Sequence, residues 1–221
     1  MSGKRDIIAE IDRRRTRHQI RVPRYDQTKR RLGALGGAYR YVGPKTSDIP
    51  LEFRKELHRY FPIALVAITE GHFKLLYRDL IDSGDPYLSN ATTLKDVRFD
   101  FASAAAMSKH GATLGEIVAQ QLPHNNLTQI ESNMSALLNE DFARTFRERI
   151  LREDTAQGQT IFQRWMRKII DYIFEVRHIY CHELATKRPP LIYEGRMCIS
   201  IIRVFLQIVE EDVIEHRKQK A

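Results

Sequence analysis

Two cysteines, one tryptophan, eight prolines and eleven glycines in 221 residues set several protein classes aside. Cys181 and Cys198 can make at most one disulfide and cannot build a Cys-rich zinc site. So little glycine and proline argues against collagen-like or low-complexity material. No apolar run is long enough to cross a bilayer. The most apolar stretch, Cys198 to Val209, is interrupted by Arg203 and falls short of the about 20 residues a spanning helix needs. The amino terminus carries Lys4, Arg5, Asp6 and Glu10 and lacks the apolar core of a secretory signal. The expectation is a cytoplasmic protein with no membrane partner.

What is present is ordinary globular material with an uneven charge. Hydrophobic residues make up 43% and charged residues 29%, enough for one domain, with or without an appendage, around a buried core. Lys plus Arg exceeds Asp plus Glu by 36 − 28 = +8. Residues 1–40 alone hold 12 basic and 4 acidic side chains, also +8, so the other 181 residues are neutral. A balanced body behind a cationic arm (Arg13, Arg14, Arg15, Arg17, Arg21, Arg24, Lys29, Arg30, Arg31) suits a polyanion, because each neutralised phosphate releases condensed counterions. Nucleic acid is the natural partner, with a solvated tail as the alternative.

Residues 1–46 read as an arm or linker, ending in Leu32-Gly33-Ala34-Leu35-Gly36-Gly37 and Val42-Gly43-Pro44. That glycine cluster lacks the G-x-G-x-x-G spacing and opens no obvious βαβ unit, which argues against a dinucleotide site. Residues 47–221 read as one all-α domain. Ser47 or Asp48 can cap a helix with Pro50 in its first turn, and a second helix is predicted from Pro62 to Ile81. Further helices are predicted over about 92–108, over 113–122 with Thr113 as cap, and over 127–151. The last two run from Thr160 to the Pro189-Pro190 stop and from about Glu194 to His216. No strand and no internal repeat is legible.

The helix beginning at Thr160 carries the chemistry. At 100° per residue, Phe162, Trp165, Met166, Ile169, Ile173, Val176 and Tyr180 form one apolar stripe, assigned to the core, while Asp171, Glu175, His178 and His182 share the opposite face. Arg177 lies between the two. Glu175-x-x-His178 has the spacing used by di-iron bundles, but a second such pair is missing. His182-Glu183 begins an H-E-x-x-H, but Thr186 stands where the second His belongs. No metal ligand set and no cofactor is expected.

Arg177-His178-Ile179-Tyr180-Cys181-His182 has the form R-x4-H near the end of a long helix, with a polar residue directly after the Arg. Here the chain resembles the HEPN superfamily, and most closely its RiboL-PSP-like branch. The helix Ile68-Thr69-Glu70-Gly71-His72-Phe73-Lys74 is similar to the one that, in these domains, carries a Glu, an aromatic and then a basic residue. The likeness runs over about residues 50–215 in helix order. It implies an all-α HEPN-like helical bundle with a basic N-terminal arm and a metal-independent endoribonuclease, of the kind that serves as a toxin or antiviral defence effector. It further implies a homodimer whose two motifs meet in one cleft, with Arg177 and His182 catalytic and His178 and Glu70 orienting substrate or its partners. Arg13, Arg14, Arg15, Arg17, Arg30 and Arg31 would hold RNA, and a cognate antitoxin or regulatory protein is a further partner. The alternative is a non-catalytic module of the same type that binds nucleic acid or a protein.

The chemistry of such a pair needs no metal. The RNA 2′-OH is an internal nucleophile, so the protein has only to move protons and stabilise a phosphorane-like transition state. An imidazole exchanges a proton near neutral pH, and a guanidinium presents a fork of donors to two phosphate oxygens. Five residues of helix turn through about 140° net, so one helix does not aim Arg177 and His182 at one phosphate. A two-fold interface supplies the convergence. Where the nucleotidylated branch of the family continues as H-x-Y, this chain has Leu184, which argues against that regulation. Cys181 is expected to be a small, at least partly buried side chain.

Overall fold

The computed structural model describes residues 23–43, 49–94, 97–154, 160–182 and 195–220. Within them the chain is all-α, and no strand occurs. The helices are α1 (Arg24–Tyr41), α2 (Leu51–Ile81), the single turn α3 (Tyr87–Asn90), α4 (Phe101–His110), α5 (Leu114–Gln121), α6 (Leu127–Leu138), α7 (Phe142–Asp154), α8 (Thr160–His182) and α9 (Gly195–Lys220). None of these is long and apolar enough to cross a membrane.

α2 is the axis of the bundle, touching α1, α5, α6, α8 and α9. Its residues Leu65, Val66, Phe73, Leu76, Tyr77 and Leu80 recur at helical spacing and are excluded from solvent. They meet Met166, Ile170 and Ile173 of α8, Phe205, Leu206 and Val209 of α9, and Ile130 and Met134 of α6 in one continuous core. Phe73 and Phe205 lie 5.8 Å apart between ring centroids, and Phe146 of α7 meets Phe205 edge-on at 5.3 Å.

The described part of the arm departs from the sequence-based expectation. Residues 24–41, read as linker within 1–46, are an 18-residue helix laid against α2 and α9. Leu32 is fully buried, and the Tyr39 ring meets His58 and Phe61 edge-on at 5.0 and 4.7 Å. Gly33, Gly36 and Gly37 therefore lie inside a helix. Their propensity cost of roughly 1 kcal/mol each is outweighed by tertiary burial of Leu32 and Tyr39.

Two further boundaries move. Pro62 starts no new helix but sits inside α2, where its missing N–H leaves the His58 carbonyl without its usual partner; burial of Phe61 and Pro62 offsets that loss. The predicted 127–151 helix is broken at Asn139, which adopts φ 53° as a left-handed cap, with the Phe142 N–H donating to Ser135 Oγ at 3.1 Å. The helix expected over 92–108 is confined to α4, after an α3 extended by a 3-10 turn over Ala91–Thr93. Thr113 caps α5 as the sequence indicates: its hydroxyl accepts from the Glu116 N–H at 3.1 Å, and the Glu116 carboxylate accepts from the Thr113 N–H at 3.0 Å.

Gly115, in the first turn of α5, marks a close approach of α5 to the end of α2. Its N–H donates to Asp82 Oδ1 at 2.9 Å, and an added Cβ would lie 2.5 Å from the Arg78 carbonyl oxygen. Gly115→Ala is therefore expected to cost about 1–3 kcal/mol. Gly33→Ala, whose Cβ would meet nothing within 4 Å, should gain about 0.5–1 kcal/mol by helix propensity. Urea unfolding midpoints of the two variants should move in opposite directions; a shared direction would contradict the packing described.

Candidate active site on the last turns of α8

The rotation of α8 is fixed by its buried side. Met166, Ile170, Ile173 and Val176 are fully buried, which turns Asp171, Glu175, His178 and His182 outward on one exposed face. The expected stripe is thus rotated slightly. Trp165 lies outside the core at 50% exposure, with the Lys168 ammonium 4.8 Å from its ring centroid, and Ile170 and Phe174 are buried in the core instead. The Phe162 side chain lies outside the description.

Arg177 sits at the margin between the two sides. Its Nη2 donates to Glu70 Oε1 at 2.5 Å, with 19% and 20% of the two side chains exposed. Glu70 is carried by the middle of α2, between the buried Thr69 and the close-packed His72 and Phe73. The pairing of Glu70 with Arg177 thus joins two residues 107 apart in sequence. Only one terminal nitrogen of Arg177 is engaged, and among the described residues no other hydrogen bond or ion pair uses its guanidinium. The remaining N–H groups are those a phosphate would address.

His178 and His182 form the second group. Their ring centroids are 4.8 Å apart at a 44° tilt, and both rings are exposed. Cys181, beside them, is an exposed free thiol rather than a partly buried filler. Among the described residues no hydrogen bond or ion pair joins Arg177 to either His, in keeping with the angular offset along one helix. Nor does any group of three or more His, Cys, Asp or Glu among them form a metal-binding set.

Of the arginines read as RNA-binding, Arg30 and Arg31 are exposed on α1, whereas Arg13, Arg14, Arg15 and Arg17 lie outside the described residues. Arg24 was grouped with them by sequence and belongs elsewhere. Its Nε and Nη2 donate to the two carboxylate oxygens of Glu210 at 2.7 Å each, and its Nη1 donates to Asp79 Oδ2 at 2.5 Å. Only 10% of each of the Arg24 and Glu210 side chains is exposed, so this charge is committed inside the fold. Arg78 also binds Asp79, at 2.6 and 2.9 Å.

The same hub contains His72, whose side chain is fully enclosed. Thr28 Oγ1 donates to the Arg24 carbonyl at 3.1 Å, which leaves its lone pairs to accept from His72 Nδ1–H at 3.0 Å. His72 Nε2 lies 3.3 Å from Glu210 Oε1 but makes no hydrogen bond, since a neutral ring with its proton on Nδ1 has none at Nε2 to donate to a carboxylate oxygen. Burial, reinforced by the Arg24 charge, pushes the imidazole pKa down to about 3. Sequence reasoning missed this hub. Its one legible signal is a carboxylate, Glu210, in helical phase with the apolar residues Phe205, Leu206 and Val213.

Comparison with protein-family models, with curated proteins and with solved structures returns no match for the chain.

Proposed function

We propose that the chain is a metal-independent endoribonuclease, a HEPN-like enzyme that cleaves RNA through its 2′-OH with Arg177 and His182. The observation that carries this reading is the Glu70–Arg177 pair, which holds a half-buried guanidinium at the edge of the helix face presenting His178 and His182. A guanidinium whose position is fixed and whose outer N–H groups stay available can bind a phosphorane without reorganising during the reaction. His182, exposed at the helix end, can take the 2′-OH proton or deliver one to the leaving 5′ oxygen. Glu70 acts as a positioning residue through Arg177, and His178 orients substrate beside His182. Convergence of Arg177 and His182 on one phosphate is supplied by a second copy across a two-fold axis, so the working species is a homodimer. The basic segment ahead of α1, with Arg30 and Arg31, adds electrostatic hold on RNA. A toxin or antiviral effector, held in check by a cognate protein in the cytoplasm, is the biological setting this chemistry fits.

The second reading, a non-catalytic module that binds nucleic acid or protein, is favoured by the lack, among the described residues, of any hydrogen bond joining Arg177 to His182. End-labelled RNA incubated with the full chain in EDTA decides between them. The enzyme should leave 2′,3′-cyclic phosphate and 5′-OH ends and spare DNA of the same sequence. RNA that stays whole, or is cut only when divalent metal is restored, sinks the first reading.

A further inference from the structure

The His178–His182 pair has a ring separation compatible with a chelate. Residues four apart on a helix lie one above the other, so both rings project from the same exposed strip. Zinc–imidazole bonds of about 2.0–2.1 Å place a ring centroid about 3.2 Å from the ion. Two rings meeting one ion at angles between square and tetrahedral then have centroids about 4.5–5.2 Å apart. The observed separation of 4.8 Å falls inside that interval without any movement of the helix. Asp171 and Glu175 continue the same exposed face, Asp171 beside Arg167 at 3.8 Å. We infer that His178 and His182 bind one borderline divalent transition-metal ion of the zinc type, water filling its other positions, and that the bound ion silences the site.

Chelation follows from the two imidazoles alone; the silencing rests on the ribonuclease reading. An ion on His182 occupies the lone pair that would accept the 2′-OH proton, so metal and catalysis exclude one another. Magnesium and calcium prefer oxygen ligands and are not expected to compete. The site is thus inhibitory, which distinguishes it from a catalytic metal centre.

Calorimetric titration of the full chain, stripped of metal, tests the inference with zinc chloride as the probe. One ion per chain is expected, with no heat from magnesium chloride. Disturbing only the partners of metal ligands costs about 10–100-fold in affinity, so His178→Ala and His182→Ala should each weaken zinc binding by at least about tenfold. Cys181→Ser should keep it. Equal affinity in both His variants, or loss in Cys181→Ser, overturns the ligand assignment. In the RNA assay, equimolar zinc should stop cleavage and EDTA should restore it; full activity with zinc bound overturns the silencing. A chain that binds zinc through both His residues but never cuts RNA refutes the ribonuclease and keeps the chelate. A chain that cuts RNA and ignores zinc does the reverse.

Discussion

His182→Ala is expected to lower RNA cleavage by about 10²–10⁴-fold, the span that a positioned general acid or base contributes. Arg177→Ala should cost about 10²–10³-fold, the usual loss when one donor to a developing oxyanion is removed. Arg177→Lys should recover little, because an ammonium cannot present a planar fork to two phosphate oxygens. His182 is exposed and lies at a helix end, so far-UV circular dichroism of its variant should match the parent, separating lost chemistry from lost fold. Co-expression adds a sharper readout. A chain lacking Arg177 paired with one lacking His182 retains one Arg and one His on opposite subunits. If the two act in trans, random assembly restores about a quarter of parental cleavage; if they act in cis, it restores none. Parental rates in both single variants would end the catalytic assignment.

The second large effect is on stability. His72 is neutral in the folded chain with a pKa of about 3, whereas an unfolded His titrates near 6.5. The unfolded ensemble therefore binds a proton that the native state refuses as pH falls below about 6.5. Stability is fully present above that value and is lost on acidification, by about 1.4 kcal/mol per pH unit within the window. Between about pH 7 and about pH 5 the loss attributable to His72 is about 2 kcal/mol. Asp212 works the other way. Burial holds its carboxyl up at about 6 despite the neighbouring Arg149, so its contribution weakens as pH rises from about 4 to about 6. The informative quantity is therefore the difference between the parent and His72→Asn, which keeps a donor near Nδ1 for Thr28 and cannot titrate. The variant should be less stable at neutral pH and its urea midpoint should fall less on acidification. Parallel slopes would mean that His72 is not the buried neutral group described.

The all-α class was legible because the apolar periodicity from α5 through α9 is long and regular, and because Thr113 with Glu116 writes a cap in two letters. The face carrying His178 and His182 was legible for the same reason. Local signals failed where tertiary contacts decide. Three glycines in α1 read as punctuation, yet Leu32 and Tyr39 find a groove between α2 and α9 that makes helix the better state. Pro62 reads as a start, yet the neighbouring Phe61 is buried and the helix continues through it. Asn139 carries no warning like that of Gly or Pro and still adopts the left-handed turn that ends α6. Resemblance gave Glu70 an orienting role but did not choose between Arg177 and His182 as its partner; spacing along one chain does not say which carboxylate a guanidinium will meet. Arg24 was assigned to solvent and polyanion because its neighbours in sequence are cationic, while its neighbours in space are Glu210 and Asp79.

The docking of α1 also resets where a shortened form of this chain can begin. A start at residue 47 would discard Arg24 and Thr28 together, so that Glu210 would lose the guanidinium bound to both its oxygens and His72 would lose the partner of its Nδ1. It would also open the slot that Leu32 and Tyr39 fill. A cut ahead of Pro23 keeps α1 with the bundle, so comparing that form with the full chain isolates what the basic residues within 1–22 add to polyanion affinity.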